Sequence, residues 1–325
     1  VGTVVGMMRP PPQPAIATFC DPYGILLRRE AIELGIDDNA LRRLVDCGTL
    51  VRLRQGAYCL RSVFLAADDA ERHRLLARAV MRLYGDHVAL SHASSVVMQR
   101  GPDFGLDLSS VHLTHFAGGG RKGSRVVHHL GETRVGDVRR QHDFWLTVPA
   151  RAVVEVACTD GTEAALVQAN HFLHQGAMTV DELHLQVATT DRWPGSLHHH
   201  PLLLLASAKS ESVGETRSDL LFWRNGLPRP ELQYEVTFPD GTFAARVDFA
   251  WPALRVIVEF DGRQKYHRFR QPGESIEQMV EREKRREDLI RELTGWTVIR
   301  LVWADLDLPQ RTVARIRRAM HPLAA

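Results

Sequence analysis

The segment Val256-Ile257-Val258-Glu259-Phe260-Asp261-Gly262 constrains the fold of this chain more than any other stretch. As a β-strand it places Val256, Val258 and Phe260 on one face, ready for a core, and Ile257, Glu259 and Asp261 on the other. Two carboxylates beside such an apolar run lose hydration, which proteins tolerate where a cation or another partner compensates. Arg246-Val247-Asp248-Phe249-Ala250-Trp251-Pro252 comes just before, so two strands with acids at their ends follow one another. Asp248 precedes Glu259 by eleven residues, enough for a hairpin through Pro252 that brings the carboxylates toward one site, although the spacing leaves the register open. Oxygen donors of this kind suit Mg²⁺ or Mn²⁺, which activate water and stabilise charge on a scissile phosphate. Solvated acids at strand ends are the alternative. Glu215, on an expected helix from Glu215 to Trp223, is a fourth candidate ligand.

At 325 residues the chain exceeds what one hydrophobic core usually organises, so two or three domains are expected. An apolar fraction of 44% and a charged fraction of 25% are globular values that argue against disorder or a rod. Forty-one Lys and Arg against thirty-nine Asp and Glu leave +2, too little to indicate nucleic-acid binding; local distribution has to carry that reading. Cys20, Cys47, Cys59 and Cys158 are scattered, which suggests neither a disulfide framework nor a zinc site. No apolar run approaches membrane-spanning length, and Leu202 to Leu205 is far too short. Arg9 and the prolines at 10, 11, 12 and 14 read as a flexible leader rather than a signal peptide, so a cytoplasmic protein is expected. Val at position 1, with Met7 and Met8 close behind, leaves the true start open.

The expected class is a multidomain α+β or α/β protein without internal repeats. Its segments are a leader (1–20), a helical and hairpin unit (21–62), a mixed middle (63–195), a linker (196–211) and a strand-rich C-terminal domain (212–325). In the middle, Leu75, Leu76, Ala79, Val80 and Leu83 recur at helical spacing within Glu71 to Tyr84. Expected strands Ser110 to Thr114 and Arg125 to His129 flank the loop Gly118-Gly119-Gly120-Arg121-Lys122-Gly123. Between Arg121 and Arg140, six Arg or Lys residues face only Glu132 and Asp137, a local +4 that suits a phosphate backbone or, equally, a solvated hairpin. No Gly-Lys-Ser/Thr follows, so this is not a P-loop. His112 and His115, three apart on a strand, fall on opposite faces and do not make a metal pair. His198, His199 and His200, between Pro194 and Pro201, read as an exposed linker rather than a ligand set.

From Ile25 to Leu60 the order is helix, Gly turn, helix, Gly turn and two short strands, the layout of a winged helix-turn-helix. Leu26, Leu27, Ala31 and Leu34 supply the first apolar stripe, Gly35 ends that helix, and Asp37 or Asp38 caps the next. In the second helix Leu41, Leu44 and Val45 point inward, leaving Asn39, Arg42, Arg43 and Asp46 outside to face base edges. Gly48 closes it. Leu50 to Arg54, Gln55-Gly56 and Ala57 to Leu60 then form a hairpin with Arg52 and Arg54 on one face, suited to phosphates or a minor groove. A packing element with solvated arginines is the alternative.

Residues Arg28 to Leu60, particularly Leu50-Val51-Arg52-Leu53-Arg54-Gln55-Gly56-Ala57-Tyr58, resemble the N-terminal domain of the AbiEi-type antitoxins of type IV toxin-antitoxin systems. The likeness continues more weakly through Leu90-Ser91-His92-Ala93-Ser94-Ser95 and Val148-Pro149-Ala150-Arg151-Ala152-Val153. It implies a winged helix that binds operator DNA as a repressor, with Arg42, Arg43, Arg52 and Arg54 as carriers, and a setting in which a cognate toxin is a partner.

Roughly Ser212 to Met320 resembles the very-short-patch-repair-like branch of the PD-(D/E)XK nuclease superfamily. Val247-Asp248-Phe249, Glu259-Phe260-Asp261-Gly262, the charged helix Glu281 to Leu293 and Gly295-Trp296-Thr297-Val298-Ile299-Arg300-Leu301 carry that likeness. It implies a mixed sheet flanked by helices, the restriction-endonuclease-like arrangement, cutting double-stranded DNA with a divalent metal held by Asp248 and Glu259. Asp261 stands where the superfamily has Lys, leaving Lys265 or His267 as substitutes. Lys284, Arg285 and Arg286 suit phosphate contact, while Glu281, Glu283, Glu287 and Asp288 among them read more plainly as intrahelical pairing. Two functions therefore compete: a metal-dependent DNA endonuclease, and an antitoxin-type transcriptional repressor whose nuclease-like domain is catalytically silent.

Overall fold

The computed structural model describes residues 16–116, 125–141, 143–190, 192–262 and 275–321. The chain divides into two compact units, the first comprising residues 1–161 and 192–196 and the second 162–191 and 197–325. Both mix helices and sheets, giving a multidomain α+β protein. No helix among the described residues is long and apolar enough to cross a membrane.

The first unit opens with β1 (Ile25–Leu27), α1 (Arg28–Glu33), α2 (Asp38–Asp46), β2 (Leu50–Arg54) and β3 (Ala57–Leu60). The three strands form a sheet in the order β1-β3-β2. Ile25 to Leu27 was expected to begin the first helix, but it pairs antiparallel with Ala57 to Cys59. That is why Leu26 and Leu27 are fully buried while Leu34, the outer end of the expected stripe, is half exposed. One face of the sheet closes over α1 and α2 through Leu26, Ala31, Ile36, Leu41, Leu44 and Leu50. Ile16 belongs to the same cluster and is fully buried, so the end of the expected 1–20 leader is part of the fold.

After α3 (Arg61–Ala66), helix α4 (Asp69–Tyr84) packs on the other face of that sheet. Leu75, Leu76, Ala79 and Val80 join Ile25, Leu27, Leu53 and Cys59 in one core, which continues through Val88, Leu90, Val111, Leu113 and Leu146. Polar contacts fix the same junction: Arg82 bonds Asp21 Oδ2 at 2.6 Å and Glu30 Oε1 at 2.5 Å, and Arg78 lies 3.8 Å from the Tyr23 ring centroid. The second sheet takes in β4 (Val88–Leu90), β5 (Val111–His115), β6 (Val126–His129), β7 (Val138–Gln141) and β8 (Phe144–Thr147) in the order β6-β5-β4-β8-β7. Helices α5 (His92–Met98) and α6 (Pro149–Thr159) pack against each other beside it.

The second unit begins with α7 (Thr162–His174), α8 (Val180–Thr189), α9 (His200–Leu205) and α10 (Val213–Arg224). Asn170 Nδ2 donates to Thr216 Oγ1 at 3.0 Å and Arg217 bonds Glu163 at 2.6 Å, tying α7 to α10. The expected middle segment is therefore divided after Gly161. The residues expected as an exposed linker are folded too: His199, Leu202 and Leu205 are buried because α9 packs on α7. A mixed sheet follows, β9 (Glu231–Thr237), β10 (Phe243–Trp251), β11 (Val256–Phe260) and β12 (Thr297–Leu301), ordered β12-β11-β10-β9. Strand β11 runs antiparallel to β10 and parallel to β12.

All five residues of β11 are buried, which explains its apolar run. Val256, Val258 and Phe260 pack with Leu221 and Phe222 of α10 and with Val313 and Ile316 of α13 (Pro309–Met320), which follows the short α12 (Trp303–Leu306). Ile257 instead meets Ile290 of α11 (Ile276–Thr294). Gly214, at the start of α10, lies so close to the Phe260 ring that a Cβ there would collide with it. Gly214→Ala should therefore destabilise the second unit by about 1–3 kcal/mol. Gly136→Ala, where a Cβ meets nothing within 4 Å, should change stability by less than about 0.5 kcal/mol. Equal denaturant midpoints for the two variants would refute the close approach.

Asp219 of α10 is 3% exposed, and burial pushes its carboxyl up to about 6 despite Arg229 at 3.8 Å. The folded chain then holds this proton at a pH where the unfolded chain has released it. Its contribution to stability thus rises as pH falls from about 7 to about 4. Asp219→Asn should remove that slope and add roughly 1–3 kcal/mol at neutral pH. Thermal melts across that range check it, and an unchanged slope would contradict a buried, proton-holding Asp219.

Candidate functional site

Helix α2 is built to present one face. Asp37 Oδ1 accepts the Ala40 N–H at 2.7 Å and caps its first turn, while Ala40, Leu41 and Leu44 bury the inner face. Arg28 holds Asp38 through an Nε–Oδ1 hydrogen bond of 2.6 Å, which lowers the Asp38 carboxyl below its ordinary value. Asn39, Arg42, Arg43 and Asp46 all lie on the exposed side. Gly48, with φ +74°, turns the chain into β2.

The hairpin places its two arginines differently. Arg52 pairs opposite Tyr58 and is exposed, but the register slips before Arg54, which falls opposite Ala57. Arg54 is half-buried, with its guanidinium carbon 5.8 Å from the Tyr84 ring centroid. Its Nε and Nη1 are buried without a hydrogen-bond partner among the described residues. The two side chains therefore do not share the outward face that strict alternation predicts, because the bulge shifts the pleat. Arg121 and Lys122 lie outside the described residues.

In the second unit, the register places Asp248 one position beyond the Phe249–Val258 pair, opposite Glu259. Asp248 Oδ2 accepts the Phe260 N–H at 2.8 Å. Glu259 is 7% exposed, and its Oε1 receives Arg286 Nη2 of α11 at 2.7 Å. Arg286 also donates to the Arg246 carbonyl at 2.6 Å, and the charges of Glu259, Glu283 and Asp248 together raise the guanidinium above its ordinary value against the effect of burial. Arg300 of β12 meets Glu283 at 3.0 Å, Glu287 at 2.9 Å and Asp261 at 4.0 Å. Among the described residues, arginines of α11 and β12 stand beside Glu259 and Asp261.

Glu215 is spent locally. Its carboxylate accepts Ser212 Oγ at 2.7 Å, Glu211 N–H at 2.9 Å and Gln233 Nε2 at 3.1 Å, so it works at the N-terminus of α10. Lys265 and His267 lie outside the described residues. Mg²⁺ or Mn²⁺ takes an octahedral set of oxygens at about 2.0–2.1 Å, of which one or two come from protein carboxylates and the rest from water and substrate. Among the described residues Asp248, Glu259 and Asp261 do not form a group of three with ligand atoms within 4.8 Å, and a guanidinium already sits on Glu259.

The set that does converge is His92, His112 and His129, whose ligand-type nitrogens all lie within 4.8 Å of one another. His112 Nδ1 and His129 Nε2 are 3.0 Å apart, and the His92 and His129 rings stack at 3.6 Å. Burial, reinforced by the neighbouring histidines, pushes His92 well below the ordinary histidine value and His129 to about 4. His92 opens α5 with φ +52° and donates its N–H to Glu155 Oε2 at 2.9 Å. His115, on the other face of β5 as alternation requires, pairs with His128 at 2.7 Å instead. On its own strand His112 has no second ligand, since His115 falls on the other face. The partners come from α5 and β6, and no linear spacing announces them.

Comparison with known proteins bears on the first of these regions. Residues 22–61 match the family described as "Transcriptional regulator, AbiEi antitoxin". Across most of its length the chain is also similar to two proteins of Mycobacterium tuberculosis, "Uncharacterized protein MT2308" of strain CDC 1551 / Oshkosh and "Uncharacterized protein Rv2248" of strain ATCC 25618 / H37Rv. Each is 29% identical over 276 residues, covering 84% of this chain and 93% of the relative. The exposed face of α2 and the β2–β3 hairpin thus fall inside a stretch similar to an antitoxin-type transcriptional regulator.

Proposed function

We propose that this protein is a duplex-DNA-binding transcription regulator of the antitoxin type, in which β1 to β3 with α1 and α2 act as a winged helix-turn-helix. The observation that carries this reading is the exposed row Asn39, Arg42 and Arg43 on a helix anchored by its opposite face, within residues 22–61. Asn suits the adenine edge and Arg the guanine edge in a major groove, while Arg52 on the hairpin suits a phosphate. The same family likeness supports a toxin–antitoxin setting, with operator DNA as ligand and a cognate toxin as protein partner. Arg42→Ala and Arg43→Ala should each weaken binding to the DNA upstream of the chain's own coding sequence by roughly tenfold. Arg52→Ala should reduce the slope of log affinity against log salt by about one. Gel-shift titrations at several salt concentrations measure both, and unaltered affinity and slope in all three variants would remove α2 and the hairpin from the interface.

A second reading, Mg²⁺- or Mn²⁺-dependent DNA cleavage by the second unit, is supported by Asp248 and Glu259 meeting across β10 and β11. It requires Arg286 to leave Glu259, and we place it second for that reason. On the regulator reading, supercoiled plasmid stays uncut with either metal. Nicking by the wild type that Asp248→Ala abolishes would establish the endonuclease instead. The regulator reading also makes the Glu259–Arg286 pair a structural one. Arg286→Met should cost about 2 kcal/mol of stability, between the values of exposed and buried pairs, and adding Glu259→Gln should recover most of it in a double-mutant cycle.

A further inference from the structure

The DNA-binding reading makes no use of the histidine cluster of the first unit. We propose that His92, His112 and His129 form a binding site for a zinc-class divalent transition metal, held by three imidazoles contributed by α5, β5 and β6. Bonds of about 2.0–2.1 Å in a tetrahedral site set neighbouring ligand nitrogens about 3.3 Å apart. His112 Nδ1 and His129 Nε2 stand at 3.0 Å, so the pair needs to open only by tenths of an ångström. His92 has to tilt out of its 3.6 Å stack on His129 to complete the set. An all-imidazole donor set selects zinc, copper, nickel or cobalt over magnesium or calcium, which take oxygen.

The surroundings are those of a ligand shell rather than of three rings filling a core. Ser91 Oγ lies 3.0 Å from His92 Nδ1, and Ser94 Oγ accepts the backbone N–H of His112 at 2.8 Å, fixing the strand that carries it. Ser94 is itself held by His73 Nε2 at 2.9 Å, and His73 spends its other nitrogen on the Leu108 carbonyl at 3.0 Å, so it orients and does not ligate. Glu155 Oε2 lies 3.7 Å from His92 Nδ1. One carboxylate thus stands beside the ligands, as outer partners do at zinc sites. The opposing charge of Arg151 is bound by Glu155 and Asp137. His92 keeps its place through a left-handed backbone that favours Gly or Asn, a strain that clusters at functional sites. Among the described residues, His128 and His115 bring two imidazoles together beside Tyr84 and make no comparable set.

The test is Zn²⁺ titration of the full chain by calorimetry, with Co²⁺ as a spectroscopic probe. One ion per chain is expected, with the intense visible bands of tetrahedral nitrogen-ligated Co²⁺ and a concentration-dependent rise in melting temperature. His112→Ala and the milder His129→Gln should each weaken binding by at least about tenfold, and Ser91→Ala by about tenfold through the outer shell. His198→Ala combined with His200→Ala, on a separate and more exposed stretch, should leave the high-affinity ion in place. Absence of saturable binding would overturn the site, as would an octahedral Co²⁺ spectrum or binding that only the His198 and His200 substitutions remove. The wild-type Co²⁺ spectrum decides the matter even if the histidine variants do not fold.

Discussion

The carboxylate of Glu155 is the contact on which the first unit turns. It is fully enclosed, and burial raises it above the ordinary carboxylate value even though Arg151, the His92 N–H and the Thr147 hydroxyl all act to lower it. Through these partners α6 is fastened to the start of α5 and to the end of β8. Arg151 continues the chain of contacts to Asp137 at 3.2 Å and lies 4.2 Å from the Trp193 ring centroid. Buried ion pairs add little net stability compared with apolar packing, but removing one member leaves an uncompensated charge. The network therefore specifies one arrangement of these elements, and that arrangement brings His92 toward the strands that carry His112 and His129.

The outward row of α2 depends on a different kind of support. Nine residues of isolated helix are too few to persist in water, so α2 exists because Leu41 and Leu44 are buried against the small sheet. That sheet is in turn seated on α4 by a continuous apolar core and by Arg82 reaching Asp21 and Glu30. On the proposed reading, a helix held this way loses little further order on binding DNA, which favours affinity. The same seating turns Arg54 toward Tyr84 and leaves Arg52 as the outward cation of β2.

Local features were legible where short-range chemistry decides them. Asp37 caps α2 and Gly35, Gly48 and Gly56 take positive φ, because a cap and a left-handed turn need only their own residue types. The buried Leu75, Leu76, Ala79 and Val80 follow directly from helical period. Ile25 to Leu27 was misread because three consecutive apolar residues carry no period, and only pairing with β3 makes them a strand. Flanking prolines make Ile16 read as leader and His199 as linker, yet tertiary packing buries both. Among the candidate site residues, the outward set on α2 was readable from one helix, whereas the Arg54 side chain was redirected by a bulge that a period of two does not contain.

By itself the sequence determined the mixed class of the fold, the strand character of Val256 to Phe260, and the amphipathic helices with their caps. Each rests on periodicity or on the conformational preference of single residues. The tertiary structure alone decided what those elements face. Register set Asp248 across from Glu259, α11 delivered Arg286 to that carboxylate from 27 residues away, and three separate elements met at His92, His112 and His129. Such meetings depend on the long-range closure of sheets and helix layers, in which residues far apart in the chain become neighbours through the burial of apolar faces elsewhere. That is why the chemistry of the sites was settled in space and not along the sequence.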